Sequence, residues 1–430
     1  MIGGKMFDDE KLLCLDTLEE LQDDGTILDN PNAENAALLR TVYAEKKLEV
    51  REDLPGIFRY SGWLPARRIL RYGGAPVTYR SSGLSDALAL PKLYITFNGY
   101  WPQKGAMMKT GTFKECEAYS VCSRLPQDSG VLVVASAGNT ARAFMNVASD
   151  NNIPAAVIVP EKNLGSLWSI NELDSCVKII AVGGDSDYTD AINLSKALCR
   201  LGGFVDEGGA RNVARRDGMG TTVLSAVTEI GEIPDYYFQA VGSGTGAIAA
   251  REANLRFNQS GCYREKNMQL IVSQNLPFAP IADAWSKGSR ILDSIDPDEA
   301  VRQIDIIAAK VLSNRQPPYG LIGGLYDSLR ESGGDVVGVE NQQIREAQAM
   351  FEELEGRDIC PESGVALASL IMKVKDGTVD KNATVMLNIT GGGLDSLIKE
   401  FSPVKAEADL VINKDAIMLD ESMQRIKSLF

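Results

Sequence analysis

The chain has 430 residues, 44% of them hydrophobic and 24% charged, a balance that suits two or three globular domains with real cores. Its net charge of −14 argues against bulk binding to nucleic acid or an anionic membrane, and no apolar run approaches the ~20 residues of a bilayer span. There is no histidine, which removes Ser-His and Cys-His nucleophile pairs, histidine acid–base chemistry and the usual zinc sites.

The N-terminus, "MIGGKMFDDEKLL", lacks an apolar signal core, so a cytoplasmic protein is expected. The seven cysteines (14, 116, 122, 176, 199, 262 and 360) form no CxxC pair, and they read as reduced, largely buried thiols. Residues 1–75 are mixed and charged and read as an N-terminal arm, with helices expected at 8–22 and 33–47 around the turn cluster "DNPN".

From residue 131 the pattern becomes regular. "VLVVA" (131–135), "AAVIVP" (155–160), "VKIIAV" (177–182), "YYFQAV" (236–241), "QLIVSQ" (269–274), "DVVGVE" (335–340) and "TVMLNI" (384–389) are short apolar, often β-branched runs. Helix-like segments follow them, with two expected at 165–174 and 187–201. Alternation of this kind predicts an α/β fold with mostly parallel sheets flanked by helices. In such sheets ligands sit at the carboxyl ends of strands. Three turns rich in glycine or serine fall there: "SAGNT" (136–140), "GSGTG" (242–246) and "TGGG" (390–393).

Each turn has a plain structural reading beside a functional one. "GSGTG" can cradle a phosphate on backbone N–H groups, or simply link a strand to a helix. It is not a Walker loop, since no Lys-Ser/Thr follows. Asn139 either caps a helix, the commoner role, or donates its amide to a ligand oxygen. Three glycines after Thr390 exceed what one turn needs and suggest a closely approaching ligand. Lys114, in "KTGTFKECEA" (109–118), is either a solvated helix lysine or a desolvated amine with a lowered pKa, able to act as nucleophile and base.

Taken together and in this order, the segments resemble the threonine synthase branch of the fold-type II pyridoxal-phosphate enzymes, the tryptophan synthase β-like fold. "KTGTFKECEA" is similar to the Thr-Gly-Ser-Phe-Lys segment whose lysine carries the cofactor covalently, "ASAGNTARA" (135–143) to the loop whose asparagine meets the ring hydroxyl, "GSGTG" to the phosphate loop, and "TGGGLDS" (390–396) to the segment whose threonine faces the pyridine nitrogen. Further similarity runs through "GWLPARRIL" (62–70), "EGGARNVARRDGMGTT" (207–222), "SQNLPFAPIADAW" (273–285) and "CPESGVALASL" (360–370), and so covers most of the chain beyond about residue 55.

The resemblance implies pyridoxal 5'-phosphate held by Lys114, Asn139, Gly242, Ser243, Gly244, Thr245, Gly246 and Thr390, with Lys114 catalytic and no metal. It implies a smaller α/β domain at 112–230 and a larger cofactor-binding domain at 76–111 and 231–430. The chain departs from the threonine synthase pattern at Met108-Lys109, at Lys114-Glu115-Cys116 and at Gly392, where histidine is usual. It is closer to members from methane-producing archaea that replace the phosphate of O-phosphoserine with sulfite, on the way to coenzyme M; O-phosphohomoserine is the alternative substrate.

Both substrates are anions, so a local basic cluster is required in an acidic chain. Lys104, Lys109 and Arg142 are candidates, with Arg211, Arg215 and Arg216 behind them and the hydroxyls of Ser136 and Thr140 beside them; Lys109 and Arg142 flank the key motifs most closely. Partners are expected to be small molecules, with no nucleic acid or membrane, in a homo-oligomer. A catalytically silent ligand-binding protein and a nucleotide-binding enzyme are the readings from other classes. The intact Lys114 speaks against the first and the missing phosphate-binding lysine against the second.

Overall fold

The computed structural model describes residues 10–136 and 138–430. Two sheets organise the chain. The first has six strands in the order Asp335–Val339, Gln269–Asn275, Tyr236–Ala240, Val385–Ile389, Leu93–Phe97 and Val77–Arg80. All its pairings are parallel except the edge pair of Val77–Arg80 with Leu93–Phe97. The second has five parallel strands: Phe204–Asp206, Val131–Ala135, Ala155–Pro160, Val177–Gly183 and Leu410–Asn413. All seven apolar runs read from the sequence are strands within these sheets. They were legible because helices cover both faces of a parallel sheet, so its strands carry continuous apolar runs; every residue of Ala155–Pro160 and of Val385–Ile389 is buried.

The five-stranded sheet takes its last strand from the C-terminal region, where Ile180 to Gly183 register with Leu410 to Asn413. That segment was expected in the larger unit of 231–430, and the sequence boundary at 230 does not follow the sheet. Helix Val213–Ile230 packs against both Lys114–Arg124 and Thr245–Ser260, and so joins the layers of the two sheets.

The N-terminal region differs from expectation. In place of helices at 8–22 and 33–47, strands Lys11–Cys14, Glu20–Gln22 and Leu39–Val42 form an antiparallel sheet; residues 8 and 9 of the expected helix lie outside the described residues. Within these strands burial has a period of two: Leu12 and Cys14 are buried while Lys11 and Leu13 are not, and Leu39 and Thr41 are buried while Arg40 and Val42 are not. The sheet docks on helix Val213–Ile230, whose buried Asp217 accepts from Thr41 Oγ1 (2.7 Å) and Tyr43 Oη (2.6 Å) and pairs with Arg256. The helix expected at 165–174 is replaced by a short 3-10 segment, Glu161–Ser166, and a two-residue strand, Trp168–Ser169, paired with Val404–Lys405. Ser and Asn side chains bond locally to the backbone here, as Ser166 Oγ does to Asn163 O and Ser169 Oγ to Asn171 O, in competition with helix bonds. Among the described residues, no helix is long and apolar enough to cross a membrane.

Candidate active site

The lysine turn and the glycine turn are stitched together. Phe113 N donates to Thr390 O (2.9 Å), Gly392 N donates to Gly111 O (3.1 Å), and Thr112 and Gly391 form an antiparallel bridge. Lys114 is the first residue of helix Lys114–Arg124, so it leaves this junction directly beside Thr390, itself buried at the end of strand Val385–Ile389. The lysine side chain is 19% exposed, and Nζ lies 3.2 Å from Glu117 Oε2, one turn along the helix. Burial lowers the Lys114 pKa from its ordinary value; Glu117 opposes that shift and Arg215 adds to it. The amine therefore sits in a cleft and is not a solvated surface charge.

Glu117 is fully buried and has two further partners. Thr140 Oγ1 donates to Glu117 Oε1 (2.9 Å), and Arg215 Nη2 approaches the same oxygen at 3.0 Å. Arg215 Nη1 in turn bonds both carboxylate oxygens of Glu207, at 2.8 and 2.7 Å. Burial raises the pKa of Glu207 while Arg215 opposes it. The result is a buried chain of alternating charge: Lys114, Glu117, Arg215, Glu207.

Asn139 is the first residue of helix Asn139–Asp150, and no side chain caps that helix. Its amide spans the two sides of the cleft. Nδ2 donates to Glu362 Oε1 (3.1 Å) on helix Pro361–Lys375, and Oδ1 accepts from Arg142 Nη2 (2.9 Å). The cap reading of Asn139 therefore fails. Arg142 is buried, also donates to Thr110 O (3.0 Å), and stacks on Trp168 with its guanidinium carbon 4.3 Å from the ring centre. Burial lowers the Arg142 pKa and raises that of Glu362.

Of the basic candidates, Arg142 and Arg215 reach the cleft residues. Lys109 pairs with Asp150 at 3.9 Å, at the far end of the helix that Asn139 begins, about 16 Å away at 1.5 Å per residue. Lys104 is exposed over the rings of Tyr79 (3.9 Å) and Trp101 (5.0 Å). Cation–π contact holds it on the flank of the larger sheet. Arg211 pairs with Asp29 and Asp206, and Arg216 with Glu252. Ser136 is half-buried at a strand end, its N–H committed to Ile158 O; its neighbour Ala137 lies outside the described residues. Thr140 is engaged by Glu117 and Arg215.

The 242–246 turn leads from strand Tyr236–Ala240 into helix Thr245–Ser260, whose N-cap residue is Gly244 and whose first N–H, on Thr245, reaches Ser243 Oγ only at 3.4 Å. Gly244 takes φ +78°, and a Cβ there would lie 2.6 Å from Leu325 Cδ2, so glycine is required. Ser243 and Thr245 hydroxyls lie 2.8 Å apart. In the other glycine run, a Cβ on Gly391 would press on Thr112 and Cys360, on Gly392 on the Asp358 carbonyl, and on Gly393 (φ +71°) on the Tyr100 carbonyl. Close packing within the protein is by itself enough to call for glycine at all three positions.

These residues fit pyridoxal phosphate. The glycine-capped N-terminus of helix Thr245–Ser260 suits a phosphate. The buried hydroxyl of Thr112, in the lysine turn, has no hydrogen-bond partner among the described residues, so polar capacity is left over beside the lysine. Asn139 Nδ2 uses one of its two hydrogens on Glu362 and keeps the other for a ring oxygen. Glu117, Glu207 and Glu362 were not singled out from the sequence. Only "KECEA", with a carboxylate one helical turn after the lysine, carried a signal for any of them.

Comparison with known proteins identifies the family and the fold. The family described as "Pyridoxal-phosphate dependent enzyme" matches residues 87–391. The chain is 45% identical to the cysteate synthase of Methanosarcina acetivorans over 387 residues, 90% of this chain and 93% of the relative. It is also 45% identical to that of Methanocella paludicola over 395 residues, 91% and 92% of the two. Among solved structures, threonine synthase from Escherichia coli superposes with TM-score 0.63 at 12% identity, over 97% of this chain and 100% of that one. Maize serine racemase gives 0.55 at 18% identity, over 76% and 92%. At these identities the solved structures establish the shared fold.

Proposed function

Because the chain belongs to the pyridoxal-phosphate dependent enzymes, and within them to the cysteate synthase group, we propose that it converts O-phospho-L-serine and sulfite to L-cysteate and phosphate, a step toward coenzyme M. The observation that carries the reading is the Lys114 amine, four-fifths withdrawn from solvent at the junction of the lysine turn and the glycine turn, together with relatives bearing that name. In this reaction the Cβ–O bond to phosphate breaks and a Cβ–S bond to sulfite forms, with no net oxidation.

Pyridoxal phosphate, when bound, supplies the electron sink that makes the substrate Cα proton acidic. The chain's residues supply position and proton transfer. Lys114 Nζ, with a pKa lowered by burial, is the group that carries the cofactor and, once freed, takes the Cα proton and later returns it. Asn139, held from both ends by Glu362 and Arg142, orients the ring through its hydroxyl. Residues 242–246 would hold the cofactor phosphate on backbone N–H groups. Thr390 would meet the ring nitrogen with a neutral hydroxyl, which cannot keep that nitrogen protonated as a carboxylate would. Thr112 offers its hydroxyl to the anionic substrates; Arg142 and Arg215 supply the positive field, while Lys104 and Lys109 are engaged elsewhere.

The purified protein, supplied with O-phosphoserine and sulfite, is expected to release equal amounts of phosphate and cysteate, and no cysteine in preference when sulfide replaces sulfite. Threonine formed from O-phosphohomoserine, without cysteate from the first pair, would overturn the assignment.

A further inference from the structure

The buried chain of charge behind the lysine has no part in holding the cofactor, yet it ends on the nitrogen that does the chemistry. Glu117 is 0% exposed, and three groups meet its carboxylate: Lys114 Nζ at 3.2 Å, Arg215 Nη2 at 3.0 Å and Thr140 Oγ1 at 2.9 Å. Burying a carboxylate costs several kcal/mol unless it is paired. A purely structural need for Arg215 would be met by Glu207 alone, which already binds it through both oxygens. The second carboxylate is aimed at the lysine.

We propose that Glu117 is a positioning residue that holds the Lys114 amine in the cleft and compensates the charge on Nζ while it carries the substrate proton, with Arg215 and Glu207 fixing Glu117 from behind. The inference rests on the reading of Lys114 as the cofactor-bearing base. The proton moves from Cα to Nζ and back to Cα; Glu117 accepts a hydrogen bond throughout and takes no proton. Without a partner, a desolvated ammonium would lose its proton before it could be returned. The charged or titratable groups facing Nζ are Glu117 on its own helix, Arg215 on helix Val213–Ile230, Glu207 before that helix, Glu362 on Pro361–Lys375, and Tyr188 beyond Arg215. Glu117 is the nearest carboxylate and the one in direct contact.

The test uses full-length apoenzyme and does not depend on turnover. Only the neutral amine attacks the cofactor aldehyde, so the rate at which apoenzyme captures pyridoxal phosphate, followed by growth of the visible band across pH, reports the Lys114 pKa. Removing a carboxylate about 3 Å away lowers the pKa of an amine by about one unit or more. Glu117→Gln is therefore expected to move the midpoint to lower pH by at least that much. Below both midpoints its capture, relative to its own plateau, is about tenfold faster than wild type. Glu117→Asp, which keeps the charge, should lie between the two. If the Gln variant does not fold, the Asp variant decides alone, since withdrawing the carboxylate by one methylene must still lower the midpoint. An unchanged or raised midpoint in a folded variant overturns the inference. Lys114→Ala serves as the separate control: a persisting visible band in that protein would remove the lysine assignment itself, and a missing band with an unmoved Glu117→Gln midpoint would remove only the role of Glu117.

Discussion

Arg142 separates two accounts of the cleft, one in which it binds the anionic substrate and one in which it orients Asn139. Its guanidinium makes two hydrogen bonds, to Thr110 O and Asn139 Oδ1, and stacks on Trp168. Arg142→Met keeps an unbranched apolar stem and removes all three. Bonds from a charged donor contribute about 1.5–3 kcal/mol each, and a desolvated cation–π contact about 2. Against this, the variant no longer buries a guanidinium whose charged form burial disfavours. The net loss of folding stability is expected to be about 1–3 kcal/mol. The functional effect follows from Asn139, whose Oδ1 is left unpaired so that the amide can rotate. Losing one oriented hydrogen bond costs about 1 kcal/mol, so cofactor binding should weaken about five- to tenfold. Titration of apoenzyme with pyridoxal phosphate gives that number, and urea unfolding gives the stability. Cofactor affinity equal to wild type, together with much weaker O-phosphoserine binding, would refute the orienting role and restore the substrate-binding one.

Other perturbations probe the surroundings. Glu115 is buried against the Thr110 N–H, and burial pushes its pKa up from 4.5 to about 7. The folded state therefore holds a proton that the unfolded chain releases earlier, and stability falls as pH rises from 4.5 to 7 and then levels. Glu115→Gln should remove that fall, gaining about 3 kcal/mol over wild type above neutrality and nothing near the lower limit, as measured by urea unfolding across pH. Gly393→Ala should cost more than about 2 kcal/mol in the same assay, since φ is +71° and the Tyr100 carbonyl occupies the Cβ position. Asp217→Asn leaves Arg256 buried without its carboxylate and should cost about 3–5 kcal/mol. Faster hydrogen exchange should appear in Leu39–Val42, where Thr41 contacts Asp217.

How far the chain could be read depended on whether the signal was local. The seven apolar runs became strands because burial on both faces leaves no polar alternation to confuse them. The arm was misread because "KLLC" and "LRTV" are too short to show whether their period is two or 3.6; antiparallel pairing decided it. Likewise, Lys109 looked close to Lys114 in sequence, but pairing with Asp150 carries it to the other end of a helix. Arg215, about a hundred positions from Lys114, arrives because helix Val213–Ile230 packs across Lys114–Arg124.

The amino-acid order alone determined the parallel α/β architecture, the three turns at strand ends and the lysine to watch, since each depends on residues adjacent in the chain. Tertiary structure decided which charges surround that lysine. The electrostatics of a buried amine depend on distances of about 3–4 Å between side chains brought together by packing, and no spacing along the chain encodes the meeting of Glu117 with Arg215 or of Asn139 with Glu362.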